Sequence, residues 1–444
     1  MTVRVADGQV LSGRVSSAEH RKVAVASLVG TAIEWYDYYL YGTCAALIFP
    51  HLFFPSMDAW VGTIAAFATY AVGFVARPVG AAVFGHYGDR IGRKAILVLS
   101  LWMMGGSTIA IGFLPTYESI GPWAAVLLSV LRLIQGFAVG GEWGSAVVMA
   151  VEHAPANRRG LFGSFPQIGV PAGLLLSTLA FFITSVSMSN ADLMAWGWRI
   201  PFIASIVMVM VGMFIRLKLH ESPVFEQMKR RQQDVKAPAM EVLKSHRRAL
   251  YLTIGMKLLQ NAVFYMYSVF MLSYITGTLK MDRSVGLGAI LLSSVIGFAT
   301  LPAWSYLSDL IGRKKVYLFG TIASTLFIAP FFWMAHTGSV VLIVIGMVIG
   351  LNVLHDAMYG PQAVYFSELF GTNVRLSGAN IGYAVGAVLS GGFAPMIATA
   401  LLKWNDGGTW GITVYFMALG VISVICTMMA RETWQDRLDP EARQ

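Results

Sequence analysis

The 444-residue chain has little charge. Asp, Glu, Lys and Arg make up 12% of it and hydrophobic residues 56%, whereas about one-quarter of an ordinary soluble chain is charged. So few charges cannot cover a water-facing surface, which excludes a soluble globular protein. Cysteine is scarce too: Cys44 and Cys426 fall in apolar stretches far apart and read as small buried hydrophobes, not as a disulfide framework. No Cys or His pair has metal-ligand spacing, which removes an intramembrane metalloenzyme. There is no G-x-x-x-x-G-K-[ST] phosphate loop, because Gly92-Arg93-Lys94 lacks the upstream glycine spacing. An enzyme or a directly ATP-driven pump is therefore not expected, and no cofactor is implied. Residues 1–18 are polar without an apolar core, so no cleavable signal peptide is expected. The ten-residue alternating segments of a β-barrel are missing as well.

What is present is a series of about twelve apolar runs of roughly 20 residues, each able to cross a bilayer as a helix. The fold class that follows is an all-α polytopic membrane protein, twelve transmembrane helices in two six-helix bundles. The first six spans run at 23–49, 60–84, 95–115, 122–150, 160–186 and 198–217, and the second six at 249–277, 285–307, 316–335, 339–363, 373–402 and 410–430. A tail of 1–22, a bundle of 23–217, a linker of 218–248, a bundle of 249–430 and a tail of 431–444 complete the division. Within the linker, Ser222-Pro223 is a good helix start. Val224, Phe225 and Met228 share a face ahead of Lys229-Arg230-Arg231, so a short amphipathic surface helix and a solvated linker are the two readings.

The net charge of +9 raises nucleic acid as a partner, and its distribution removes it. All but seven of the 32 Lys and Arg lie in the tails or in the loops on one side. Arg199, Lys280, Arg283 and Lys403 lie on the other side, and Arg77, Arg132 and Lys257 fall within spans. That asymmetry places both termini in the cytoplasm.

An internal repeat relates the two bundles. Gly85-His86-Tyr87-Gly88-Asp89-Arg90-Ile91-Gly92-Arg93-Lys94, between spans 2 and 3, returns 220 positions later as Ser305-Tyr306-Leu307-Ser308-Asp309-Leu310-Ile311-Gly312-Arg313-Lys314. Glu152 followed by Arg159-Gly160 matches Glu368 followed by Arg375, 216 positions on. The near-constant offset means parallel copies in the same orientation.

A charge at the bilayer centre costs at least about 2.5–3.5 kcal/mol, so intramembrane charges face partners, water or a pathway. Glu34 and Asp37 lie in span 1, Arg77 in span 2, Arg132 and Glu142 in span 4, Lys257 in span 7, and His355 and Asp356 in span 10. All but Arg77 sit on the first spans of successive triplets, the pattern of a three-plus-three repeat around a central polar cavity. Asp37 is about fourteen residues into its span and Arg132 about ten, near mid-membrane at 1.5 Å per residue. Glu34, Tyr38 and Tyr41 share a helix face, with Asp37 beside them. Burial favours the neutral form of a carboxyl unless a cation answers it, which is the property a proton carrier needs. A static Asp37–Arg132 pair joining spans 1 and 4 is the alternative.

Arg77 and Lys257 are within snorkelling reach of the cytoplasmic side, and Arg77 precedes Pro78, whose freed carbonyl an arginine can satisfy. Structural and substrate-binding roles stand level for both. His355-Asp356, near Asn352, could relay protons because histidine titrates near neutrality, or could be a bonded structural pair. In span 7, Phe264, Tyr265, Tyr267 and Tyr274 read as packing, while Gln260 and Asn261 point toward hydrogen-bonding a polar solute. Glu142 lies nearer the cytoplasm and suits a brace for a closed gate. Gly136, Gly140 and Gly144 in span 4 and Gly382 and Gly386 in span 11 have the spacing of closely packed helices.

These residues carry a family resemblance. Gly-x-x-x-Asp-Arg-x-Gly-Arg-Lys with its echo between spans 8 and 9 resembles the signature loop of the major facilitator superfamily. Glu34-Trp35-Tyr36-Asp37-Tyr38, Arg77-Pro78, Gln135-Gly136 through Glu142-Trp143, Trp198-Arg199-Ile200-Pro201-Phe202 and Glu221-Ser222-Pro223-Val224-Phe225 are similar to the metabolite:proton symporters, carriers of shikimate-like acids, 2-oxoglutarate, citrate and osmolytes. The resemblance spans essentially the whole chain. It implies proton-coupled uptake of a small molecule by a functional monomer in a bacterial inner membrane, driven by the proton gradient. It places Asp37 and Arg132 in the coupling and binding region and Asp89, Arg93 and Glu152 at the cytoplasmic gate. From the residues themselves, Glu34, His355 and Asp356 are the further candidates for proton coupling, and Arg77, Tyr38, Tyr41, Gln135, Lys257, Gln260, Asn261, Tyr265 and Asn352 those for substrate binding. The repeat and the flanking positions add Gly85, Arg90, Gly92, Glu142 and Arg159 to the expected gate in one half and Asp309, Arg313, Glu368 and Arg375 in the other. The second loop copy departs from the pattern at Ser305 and Ser308, which replace glycines. The substrate expected is an organic acid. An osmolyte carrier is the runner-up, made less favoured by a C-terminal tail of about fifteen residues without the heptads of a coiled coil. A non-transporting sensor is the rival from another class.

Overall fold

A computed structural model of the chain describes residues 17–91, 93–140, 147, 151, 154–155, 157–218, 238–370 and 374–434. Among the described residues twelve long helices follow one another. In the first half they are α1 (Ser17–Leu47), α2 (Ala59–Ile91), α3 (Arg93–Gly112), α4 (Trp123–Val139), α5 (Arg159–Val186) and α6 (Arg199–Lys218). In the second they are α7 (Arg247–Thr278), α8 (Arg283–Ile311), α9 (Arg313–His336), α10 (Val340–Leu369), α11 (Arg375–Trp404) and α12 (Trp410–Met429). Among the described residues eight are by themselves long and apolar enough to cross a membrane. A ninth span forms where Asn190–Gly197 meets α6 at a 50° bend. α3 and α4 present shorter apolar stretches, and α1 carries Glu34 and Asp37 in its middle. Since α1 begins and α12 ends at the same end of the bundle, that end is called terminal and the opposite one distal.

Local chemistry explains the boundaries. Asp282 and Ser339 accept backbone N–H bonds from Ser284 and Leu342 at the starts of α8 and α10, which satisfies donors that a helix leaves open. The second repeat, expected in a loop, instead lies inside helices: α8 runs through Ile311 and α9 starts at Arg313. Gly312 alone makes the turn, at φ +112°, a conformation open to glycine. α4 and α2 touch backbone to backbone. A Cβ on Gly136 would lie 1.9 Å from the carbonyl oxygen of Gly73, so the glycine stripe is what lets these helices meet.

The halves meet along α5–α8 and α5–α10 and along α2–α11, with α1 beside α7. Wider π-helical turns interrupt α7 at Met266–Phe270 and Tyr274–Thr278, α10 at Ile349–His355 and α11 at Val388–Gly392. Such bulges recur at functional sites, because they redirect side chains without ending the helix. In α10 the bulge ends on the His355-Asp356 pair. The linker segment around Ser222–Arg231 lies outside the described residues.

Candidate functional site

The polar residues of the first half converge from α1, α2 and α4. Glu34, Asp37, Arg77, Arg132 and Gln135 are all buried. Arg132 donates to Gln135 Oε1 at 3.0 Å, and Gln135 donates to Thr108 at 2.7 Å. Its guanidinium lies over the rings of Tyr38, Tyr41 and Tyr70, 3.8, 4.3 and 4.7 Å from their centroids. Arg77 lies 4.2 Å from the same Tyr38 ring and is further enclosed by Phe74 at 5.0 Å and Trp35 at 5.2 Å. Tyr38 therefore touches two guanidiniums, and its electron-rich ring offsets part of their repulsion. The Tyr41 hydroxyl donates to Thr69 at 2.7 Å, so it is the ring face of Tyr41 that meets the arginine.

Two alternatives that the sequence left open are decided here. Asp37 and Arg132 make no ion pair: both Asp37 oxygens, and Nε and Nη2 of Arg132, lack hydrogen-bond partners. Rings and an amide surround the guanidinium where a carboxylate was the alternative. Nor does Arg77 snorkel or bond the carbonyl freed by Pro78. It is 5% exposed with Nε and Nη2 unpartnered, held by the aromatic cage instead.

In the second half a hydrogen-bonded chain crosses α7, α9 and α10. Lys257, fully buried and not snorkelling, donates to Gln260 at 2.7 Å and to Gln362 at 3.0 Å, and its ammonium sits 3.8 Å from the centroid of Tyr383. Gln362 also bonds Tyr317 at 3.1 Å, and Gln260 reaches His355 Nε2 at 2.6 Å. His355 Nδ1 is 3.1 Å from Asp356, which also accepts bonds from Thr300 and Asn352. Asn261 is bonded to the carbonyl of Ala387 at 3.3 Å in α11. The sequence candidates Lys257, Gln260, His355, Asp356 and Asn352 thus belong to one network.

An aromatic septum lies on the distal side of Arg77 and Lys257. Tyr39 meets Phe264 across the halves with centroids 5.6 Å apart, and Tyr265 meets Phe74 at 5.2 Å and Tyr70 at 5.9 Å. Tyr265, expected in the binding region, stands in this septum. It lies eight residues from Lys257, about 12 Å along the helix. Beside the septum, α5, α8 and α10 enclose a cavity lined by Pro171, Ser293, Asn352, His355 and Asp356, with about 30 Å³ open to water. One water needs roughly 10–15 Å³, so this space suits a couple of waters and no organic acid.

Clasps join the halves at both ends of the α5–α8 pair. At the terminal end, the Asp309 carboxylate accepts the N–H groups of Gly160 at 2.8 Å and Leu161 at 2.9 Å, in the first turn of α5. A helix N-terminus favours such a negative charge. Arg313 pairs with Asp309 at 2.6 Å and with Glu368 at 3.5 Å. Thr433 donates to Glu368, and Glu432 accepts the N–H groups of Arg313 and Lys314. At the distal end, Arg283 donates to Asn190 at 2.8 Å and to the carbonyl of Ser185, near the C-terminus of α5, at 3.1 Å. Lys403 lies 3.4 Å from Asp58. The N–H of Val61, with help from Lys403, holds the Asp58 carboxyl below the usual carboxylate range. Contacts between the halves are thus made at both ends of the α5–α8 pair.

Of the expected gate, Asp309, Arg313 and Glu368 come together. Arg159 opens α5 within electrostatic reach of Glu368 across the halves, and Arg375 opens α11. Gly92, Glu142 and Glu152 lie outside the described residues, as do the surroundings of Gly85 and the side chains of Asp89, Arg90 and Arg93. Sequence reasoning missed Gln362, Thr300, Tyr317 and Tyr383. Gln362 had a legible signal, since it follows His355 by seven positions on one helix face. Thr300, Tyr317 and Tyr383 had none, because their contacts come from α8, α9 and α11 meeting α7 and α10.

Comparison with known proteins agrees with this architecture. The model of the family described as "Sugar (and other) transporter" matches residues 22–244 and 228–433. The shikimate transporter of Escherichia coli K12 is 40% identical over 423 residues, covering 95% of this chain and 97% of that protein. The proline/betaine transporter of the same organism is 31% identical, covering 94% and 85% respectively. Among solved structures, the partially occluded inward-open form of the xylose transporter XylE from E. coli superposes with a TM-score of 0.74 at 17% identity, covering 95% of this chain. With the family match extending over nearly the whole chain, the protein belongs to the sugar (and other) transporter family of the major facilitator superfamily, and it is a membrane transporter, not an enzyme.

Proposed function

We propose that the protein is a proton-coupled symporter that imports a small organic acid across a bacterial inner membrane by alternating access, with its terminal end in the cytoplasm. The observation that carries the reading is the set of buried cations Arg77, Arg132 and Lys257, none of which is in an ion pair among the described residues. Buried charge is costly unless answered, and an anionic cargo answers it.

Asp37 supplies the coupling. It lies beside the Thr108 hydroxyl and within electrostatic reach of Arg132, and it forms no ion pair with that arginine, so its change of charge is felt at the guanidinium. Protonated, it leaves Arg132 uncompensated and the pocket receptive to an anion. Ionised, it answers Arg132 from within and the anion leaves. Proton and acid therefore bind together and part together. Glu34, and the His355–Asp356 pair beside Lys257, are the further proton-carrying candidates.

Alternating access follows from the two clasps. Opening Asp309 from α5 exposes the pocket to the cytoplasm, and opening Arg283 from α5 exposes it to the outside. The 40% identical relative is named for shikimate, which makes shikimate the first acid to try. Proteoliposomes should take up the acid faster with an inward proton gradient than without one. Uptake indifferent to that gradient would refute symport. The kinship to a proline/betaine transporter supports a zwitterionic cargo as the second reading, and uptake of betaine activated by raised osmolality would select it.

A further inference from the structure

We propose that Lys257, acting through the Gln260 amide, locks His355 in its neutral form, so that Asp356 is the group that takes up and releases a proton in the second half. This inference rests on the proton-symport reading and adds to it a second proton site, with Gln260 as its positioning residue.

The polarity of the hydrogen bonds is fixed from one end. An ammonium only donates, so the amides 2.7 and 3.0 Å from Nζ of Lys257 must turn their oxygens to it, Oε1 of Gln260 and Oε1 of Gln362. The NH2 group of Gln260 then faces His355, and Nε2 of the ring, 2.6 Å away, must accept. The ring proton therefore sits on Nδ1, which donates to Asp356 Oδ1 at 3.1 Å. The imidazole lies between the rings of Phe264 and Tyr359, with centroids at 5.0 and 5.4 Å, and these hold its orientation. A second proton, on Nε2, would aim an N–H at an N–H. Turning Gln260 over to receive it would aim its NH2 at the ammonium and at Gln362 Nε2, which donates to the same oxygen at 3.1 Å. Gln362 is tied in turn to the Tyr317 hydroxyl at 3.1 Å, and that hydroxyl donates to the carbonyl of Met256 at 2.9 Å.

Asp356, by contrast, can change charge in place. Its Oδ2 is bonded to the Thr300 hydroxyl, which also lies 3.3 Å from the carbonyl oxygen of Ile296. When Asp356 is ionised, that hydroxyl donates to the carboxylate. When Asp356 is protonated, its own O–H donates to Thr300 Oγ1 and the hydroxyl turns to Ile296. One rotating hydroxyl thus keeps both states hydrogen-bonded, as buried polar groups require. The proton comes from water. Asp356 lines the cavity between α5, α8 and α10 together with Ser293 and Asn352. Ser293 Oγ and Asn352 Oδ1 are buried without partners, which gives water in this space the polar anchors it needs. A hydronium there passes its proton to the carboxylate and remains as water, and the reverse step returns it. The first half walls this cavity with Val170, Pro171 and Leu174 of α5. Parting of the halves removes that wall, so the motion that opens the carrier also opens Asp356 to exchange. The titratable groups facing Asp356 are His355 and Tyr359 on α10, with Lys257 on α7 and Tyr317 on α9 reached only through the amides. The cavity lining from α5 and α8 is uncharged.

The test uses purified full-length protein in lipid nanodiscs with 15N-labelled histidine, in which NMR reads which ring nitrogens carry protons. The chain has eight histidines, and loss of one signal in His355→Asn assigns the residue. His355 should show the neutral Nδ1–H form unchanged between about pH 5 and 8, where a free histidine titrates. In Gln260→Leu the same ring should become imidazolium on acidification. Lys257→Met, which frees the amide to turn over, should do likewise and covers a failure of Gln260→Leu to fold. Infrared difference spectra on acidification should show a protonated-carboxyl band that is lost in Asp356→Asn. An imidazolium or Nε2–H form in the wild type would overturn the lock. A spectrum identical in Asp356→Asn would overturn the second proton site and leave symport through Asp37 standing. A locked His355 and an Asp356 band in a protein that moves no proton with the acid would keep this site and overturn the symport reading.

Discussion

Replacing Asp309 by asparagine should unlatch the terminal end. In the structure this carboxylate accepts two N–H groups from the first turn of α5, at 2.8 and 2.9 Å, and pairs with Arg313 at 2.6 Å. Asparagine has the same shape but one acceptor oxygen and no charge. Hydrogen bonds to charged groups contribute about 1.5–3 kcal/mol net, and a charge at a partly buried helix N-terminus up to about 2 kcal/mol. The amide keeps part of this, and Arg313 keeps Glu368 at 3.5 Å. A loss of about 2 kcal/mol from the terminally closed states remains, and at 1.36 kcal/mol per factor of ten it shifts the open-to-closed ratio about 30-fold. Spin labels on the terminal ends of α5 and α8 report the two populations directly, and thermal unfolding checks that the fold survives. The variant should populate the terminally open form while still binding cargo. An unchanged distance distribution, or lost binding with intact folding, would refute the assignment of Asp309 as an inter-half clasp.

Other outcomes follow from the same contacts. Arg283→Gln, which weakens the bonds to Asn190 and the Ser185 carbonyl, should shift the same equilibrium the opposite way, toward distal opening; labels across the distal end would show no shift if the contact were idle. Gly136→Val places a side chain where even a Cβ would be 1.9 Å from a backbone oxygen, so α2 and α4 must separate. Overpacking of this kind costs typically about 1–3 kcal/mol, and an undiminished melting temperature would contradict the close approach. The Asp58 carboxyl is held below its ordinary value by the Val61 N–H and by Lys403. Any contribution of that contact is therefore complete above the ordinary carboxylate range and lost only as pH falls through the depressed value. Asp58→Asn should leave the pH profile of transport between about pH 5 and 8 unchanged, and an altered profile there would assign Asp58 to coupling.

Much of the fold was legible because apolar runs and an internal repeat are local signals. The twelve spans and the structure's helices differ mainly at their ends, where polar residues such as Arg93, Arg159 and Glu368 continue a helix past its hydrophobic stretch. The repeat around Asp309 looked like a loop because it is polar, yet only Gly312 breaks the helix. The buried charges were legible from their cost in hydrocarbon. What answers them was not. The rings around Arg77 and Arg132 come from two helices, α1 and α2, and the amides around Lys257 from another two, α7 and α10, so no spacing within one segment encodes them. The contact of Asp309 with α5 joins positions about 150 residues apart, and the helix end it caps has no side-chain signature.

Proton movement driven by the acid tests the central claim most directly. Protein is reconstituted in lightly buffered liposomes carrying a trapped pH dye, and shikimate is added outside with no imposed gradient. The lumen should acidify as proton and acid enter together. Asp37→Asn should abolish that signal and accumulation against a gradient while leaving exchange of labelled acid measurable. Entry of labelled shikimate with no lumenal pH change, or unaltered acidification in Asp37→Asn, would contradict the account.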